Sequence, residues 1–249
     1  MTTVSQEDAR AASARGGGPV RWALGAAGLL LASAALQGMA SFERWVTARN
    51  GWDRADISIE DHRFDYAFPA DPWENVGTAA QLFGLGSILL ALGVLAMAKT
   101  VSSAGSPAVR WNEGGLEGML VVVVAGSFAV TGLHALLSGI VGAPTLLQHL
   151  PLQLLFGAVG FAGLIILAGR WLRASWPTAL ACLLLLGSSL PGYLVATFTF
   201  APAVAGYQSH DTTPWTETIV AAWPALAAVA MCGAAGWAAR RGSWGRGAT

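Results

Sequence analysis

GMLVVVVAGSFAVTGLHALLSGIV, residues 118–141, runs for a full membrane thickness without an Asp, Glu, Lys, Arg or Pro. About 20 mostly apolar residues cross the hydrocarbon core as a helix. In that medium every backbone N–H and C=O must bond within the segment or around a closed barrel, so a continuous apolar run of this length reads as an α-helix. Working outward, five more stretches pass the same reading: about 22–41, 76–98, 151–169, 177–200 and 217–239. Six crossings of ~22 residues use most of the 249-residue chain. The expected fold class is therefore all-α: a polytopic helical membrane protein with about six transmembrane helices. Residues 22–239 form one membrane domain, flanked by a disordered tail at 1–21 and a short tail at 240–249. Composition agrees. Charged residues make up 11% of the chain, where a soluble domain carries about 25%.

Arginine sets the expected orientation. Arg10, Arg15, Arg21, Lys99, Arg110, Arg170, Arg173, Arg240, Arg241 and Arg246 all fall on one side of the six spans. The other side holds Arg44, Arg49, Arg54 and Arg63, in one loop that also carries eight acids. The positive-inside rule puts both termini in the cytoplasm of a multi-pass cell-membrane protein, with 41–75 outside. Gly38-Met39-Ala40 offers a signal-peptidase site after the first span, but the length of that span and the polar tail before it favour an uncleaved anchor. Net charge is zero and no basic run with interleaved aromatics occurs, so nucleic acid is not an expected partner. Cys182 and Cys232 both lie in apolar runs and read as small packing residues.

The second span is preceded by Asp71-Pro72-Trp73-Glu74, which reads as N-cap, N1 and N3 of a capping box. Thr213-Pro214-Trp215 precedes the sixth span and Pro151 opens the fourth, a pattern that suits any interfacial helix start. Gly157, Gly160 and Gly163 give the fourth span a smooth stripe for close packing, within the chain or between chains.

Chemistry has few places to sit. No Asp, Glu, Lys or Arg falls in the middle of a span, which counts against a charged relay. His134 is the one ionisable residue well inside a span, with Thr131 and Ser138 on its helical face. It reads either as a neutral imidazole bonded between helices, or as a haem ligand, proton carrier or substrate contact. The fifth span is interrupted by Gly187-Ser188-Ser189-Leu190-Pro191-Gly192-Tyr193. This is either a proline kink or a helix broken to line a substrate path. The speculative substrate-lining set is His134, Thr131, Ser138, Ser188, Ser189, Pro191 and Tyr193. No catalytic residue and no cofactor are expected.

The loop 41–75 holds Phe42, Trp45, Trp52, Phe64, Tyr66, Phe68 and Trp73, too many aromatics for a tether, so it is expected to fold onto the membrane face. Glu60, Asp61, His62 and Asp65 supply oxygen and nitrogen donors but match no spaced metal motif, and read as a solvated acidic surface. Residues 99–117 form a cytoplasmic connector or an interfacial helix that docks a partner.

Six spans, cytoplasmic termini and no nucleotide-binding segment resemble, in general size and topology, the membrane subunits of exporter-type ABC systems. That resemblance implies a transport-associated subunit without its own ATPase. Its partners would be the bilayer and a cytoplasmic ATPase or other membrane subunit. The alternatives are a scaffold or sensor acting through loop 41–75, and a redox or haem protein built on His134.

Overall fold

A computed structural model describes residues 6–48, 62–104, 115–208 and 213–244, with the backbone alone at 6–17, 62 and 242–244. Among them are helices and no strand. They are α1 (Gln6–Phe42), α2 (Ala79–Ser103), α3 (Gly115–Val141), α4 (Leu150–Trp171), α5 (Trp176–Leu185), α6 (Leu190–Val195), α7 (Ala201–Ala205) and α8 (Thr216–Trp244). Helical backbone in α1 reaches back to Gln6, into the segment expected to be a disordered tail, and runs on through a π-helical turn at Glu43–Thr47. Five helices are long and apolar enough to cross a membrane. The remaining crossing, fifth in chain order, is a bent pair, Trp176–Ser188 and Leu190–Ala205, with a 64° angle between its halves. The chain is an all-α polytopic membrane protein.

The spans close a ring. α1 packs between α2 and α8, α2 against α3, α3 against α4, α4 against α5, and α5 against α8. Small residues make this approach possible where the hydrophobic effect gives no drive between helices in lipid. The buried face of α1 runs Ala23, Ala26, Leu30, Ala34, Ala40 at helical spacing. At the α2–α3 crossing, Gly84 and Gly132 face each other. A Cβ on Gly84 would stand 2.6 Å from the Gly132 carbonyl oxygen, and one on Gly132 would stand 2.7 Å from the Gly84 oxygen. Neither helix tolerates a side chain there. The glycine stripe of α4 is spent within the chain: Gly157 meets Leu190, Gly160 meets Ser127 and Gly163 meets Val124. Of the two cysteines, Cys182 is buried and Cys232 is exposed, and both are free thiols.

Counting crossings from α1, its C-terminal end shares a side with residues 62–78, with the end of α3 and with the start of α8; this is called the loop side below. There the second of two core clusters joins Tyr66, Ala67, Trp73 and Val76 of the connecting segment to Ala40, Phe83, Ala135, Tyr193 and Val220 of the helices. Residues 63–76 thus form a lid whose aromatics, Phe64, Tyr66, Phe68 and Trp73, pack against the bundle, while Phe42 stays exposed. Trp73 is buried and donates its indole N–H to the Asp65 carbonyl, 3.0 Å away.

The Asp71 capping box does not form. α2 starts seven residues beyond Pro72, with Thr78 at the N-cap position but no capping bond from its own side chain. The cap comes from Glu43. Its Oε2 accepts from the Thr78 backbone N–H at 2.7 Å and its Oε1 from the Thr78 hydroxyl at 2.8 Å. Gly77 makes room for this. It has a φ of +54°, and a Cβ there would sit 2.9 Å from Glu43 Oε2. The local signature at 71–74 was real in composition but lost to a carboxylate from another helix.

Candidate functional site

All six crossings contribute to one central cavity with about 50 Å³ of water-accessible space. A water needs roughly 10–15 Å³ on that measure, so the cavity holds a few waters or a small solute. Its apolar wall includes Phe68, Phe83, Phe128 and Phe156, and its polar groups are Gln37, Ser87, Ser127, Thr131, His134, Gln153, Ser188, Ser189 and Tyr193. No Asp, Glu, Lys or Arg lies on the described lining. Thr131, His134, Ser188, Ser189 and Tyr193, singled out from two separate spans, meet here. Ser138 and Pro191 are not on the lining.

The fifth crossing supplies the polar wall because it is broken. After α5 a 3-10 turn, Leu186–Ser188, carries the chain to Ser189, which is extended at φ −86° and ψ 166°. Ser189 then caps α6. Its hydroxyl accepts weakly from the Gly192 N–H at 3.4 Å and donates to the Leu186 carbonyl at 2.5 Å. Pro191 sits in the first turn of α6, where no intrahelical donor is required. Proline therefore starts the second half-helix instead of kinking a continuous one. Close packing holds the break: a Cβ on Gly187 would fall 2.3 Å from the Trp223 indole. The buried Ser188 hydroxyl has no hydrogen-bond partner among the described residues.

His134 lies seven residues before the end of α3 at Val141, about 10 Å along the axis. Its Nε2 is 3.0 Å from the Pro69 carbonyl oxygen, which only accepts, so Nε2 carries the proton. Nδ1 then accepts from the Thr145 hydroxyl at 2.7 Å, with Ser138 Oγ at 3.4 Å. Ser138 also accepts from the Thr145 N–H. Both ring nitrogens are committed to the loops that close this end of the bundle. Neither is left for a haem iron.

Charge enters the bundle from residues assigned by sequence to a loop and to a helix start. Arg44 has no exposed surface, and Glu217 and Asp65 are nearly as buried. Arg44 Nη1 donates to Glu217 Oε1 at 2.6 Å and stands 3.9 Å from Asp65 Oδ1. The Trp45 indole donates to Glu217 Oε2 at 2.7 Å. Both Glu217 oxygens thus accept from strong donors. Asp65 Oδ1 also accepts from the Ala67 N–H. Nε and Nη2 of Arg44 and the Tyr193 hydroxyl find no partner among the described residues. Burial pushes the Tyr66 hydroxyl well above its ordinary range, so it stays neutral. Asp65 is not part of a solvated acidic surface, as the sequence led one to expect: it faces inward onto Arg44. Glu60, Asp61 and the His62 side chain lie outside the described residues, and among those described no group of three or more His, Cys, Asp or Glu is placed to hold a metal ion.

A second cluster of the same design closes the opposite end. Glu117, in the first turn of α3, accepts from the Trp171 indole at 2.5 Å and from Arg170 Nη2 at 3.3 Å. In both clusters a carboxylate in the first turn of one helix receives an Arg-Trp dipeptide at the end of its neighbour. The chain contains four such dipeptides, at 21–22, 44–45, 110–111 and 170–171. That recurrence was the signal available in the sequence.

Comparisons with protein-family models, with characterised proteins and with solved structures find no match to this chain.

Proposed function

We propose that this chain is a transport-associated membrane subunit, and that its central cavity receives a small solute without net charge. The observation that carries this reading is the broken fifth crossing, whose Ser188 and Ser189 face His134 and Thr131 across a cavity shared by all six crossings. Half-helix ends and unwound backbone are tolerated at membrane depth where they line a cavity, and transporters bind substrates at such breaks. The neutral lining selects against ions, because nothing on it compensates a buried charge. Aromatic walls with scattered hydroxyls and amides suit a solute with an apolar body and one or two hydrogen-bonding groups. In this reading the chain sits in the cell membrane with both termini cytoplasmic. A cytoplasmic ATPase or other membrane subunit supplies the energy from the side that carries Glu117.

The scaffold reading draws less support, since the described aromatics of loop 41–75, apart from the exposed Phe42, are packed inward. The haem reading loses its ligand to Thr145 and Pro69.

The test starts with full-length protein in lipid nanodiscs, both native cysteines replaced by Ala. A cysteine at Ser188 should react with a small polar thiol reagent, and neutral solutes that bind should slow that reaction. Thr131→Leu should fill the cavity and abolish the protection while leaving the fold intact. Solute flux into proteoliposomes then measures transport. A Ser188 cysteine inert under every condition would end the cavity reading.

A further inference from the structure

The cluster on the loop side holds one guanidinium against two carboxylates. Arginine keeps its charge in any protein environment. The Glu217 carboxylate accepts at both oxygens, from Arg44 and Trp45. With both carboxylates ionised, the described groups of this buried site carry one negative charge in excess, a situation that proteins relieve by taking up a proton or by letting water in. The groups that face Asp65 are Arg44 at the end of α1, Glu217 on α8, Tyr193 on α6 and Tyr66 beside it. Among the described residues, none of these groups supplies a second positive charge.

The segment that carries Asp65 also closes the cavity. Phe68 lines it and packs edge-on against Tyr193, with ring centroids 5.2 Å apart. The next carbonyl, Pro69, holds His134 Nε2. Tyr193 stands on both sites. Its ring lines the cavity, and its hydroxyl lies in the field of Asp65, Glu217 and Arg44. Within five residues, 65–69, the chain therefore touches the charge cluster, the cavity wall and the cavity histidine.

We propose that the Arg44–Asp65–Glu217 cluster binds one proton from the aqueous phase on the loop side, and that this proton keeps segment 65–69 seated over the cavity. This rests on the reading of the cavity as a solute site, and adds a proton-linked gate to it. The proton is assigned to the cluster as a whole: Arg44 Nη1 lies 2.6 Å from Glu217 Oε1 and 3.9 Å from Asp65 Oδ1, so one guanidinium serves both carboxylates. With the proton bound, the cluster is neutral and the His134–Pro69 bond is made. When the proton leaves to water, the excess charge draws water in and the segment lifts.

The experiment uses full-length protein in nanodiscs and two readouts. Difference infrared spectra across a pH titration should show one buried carboxyl losing its proton. That band should vanish in Asp65→Asn and in Glu217→Gln, since either change leaves the cluster neutral without a proton, and should survive in Tyr193→Phe. Thiol labelling at a Ser188 cysteine should accelerate on the order of tenfold as that group deprotonates, and should stay slow at all pH in Asp65→Asn. Asparagine still accepts from Ala67, so the turn is kept. Absence of the band, or its persistence in both carboxylate variants, overturns the proton site. Labelling that occurs but ignores pH overturns the gate and leaves the cavity standing. A Ser188 cysteine that never reacts removes the cavity reading, and the infrared titration then decides the proton site alone.

Discussion

Arg44 has no exposed surface, yet a single substitution there separates two roles a buried arginine can have. Removing one partner of a buried ion pair leaves the other charge uncompensated, at about 3–5 kcal/mol. Arg44→Ala should therefore destabilise the protein strongly in thermal or denaturant unfolding. Adding Glu217→Gln should restore part of the loss, because the stranded charge is gone. A double variant no better than the single one would mean that Arg44 acts through packing over the Trp45 ring, 4.7 Å away, and not through charge. The helix cap gives a smaller contrast. Glu43→Ala should cost about 1 kcal/mol, the ordinary worth of an N-cap. Asp71→Ala should cost almost nothing, since the structure gives the Asp71 side chain no capping role; a larger loss for Asp71 would reverse the assignment.

At the scale of elements, the fifth crossing turns on which residue maintains the break. The sequence pointed to Pro191. In the structure, that ring occupies the first turn of α6 and displaces no hydrogen bond. Pro191→Ala should therefore leave both fold and Ser188 labelling near wild type. Gly187 is the sensitive position, because its missing Cβ admits the Trp223 ring. Gly187→Ala should cost about 1–3 kcal/mol, as overpacking does, and Trp223→Ala should relieve it. Melting temperatures of the three proteins check this; an unaffected Gly187→Ala would place the restraint elsewhere. Why the sequence blurred this element is physical. Pro, Gly and Ser permit a bend anywhere within several residues, and only tertiary contact with α8 selects Ser189 as the extended one.

For the whole molecule, the crossings were legible from length and hydropathy alone, since lipid requires both. The meeting of Ser188 with His134 was half legible: each residue stood out on its own span, but ring order decides which spans face each other. The charged clusters were not legible. A hydropathy window assigns Arg44 and Glu217 to the polar flanks, whereas the fold draws both under the lid formed by 62–78. Orientation remains the prediction that separates the two faces. A cysteine at Ser58 should react with an impermeant reagent in intact cells, and cysteines at Ser103 and Ser243 should not. Labelling at Ser103 would invert the topology and put the Asp65 cluster on the cytoplasmic side.

The contact between Arg44 and Glu217 spans 173 residues of sequence. A ribosome delivers the first helix long before the last. Throughout synthesis Arg44 must wait at the membrane boundary with its strongest partner not yet made, held by water, lipid headgroups or Asp65. Only arrival of α8 lets the guanidinium leave water, and the Ser41–Thr218 hydroxyl pair, 2.6 Å apart, closes beside it. A chain stalled or cut before Thr213 therefore lacks the carboxylate that completes the Arg44 site, and the first and last helices of the bundle are joined only when synthesis is finished.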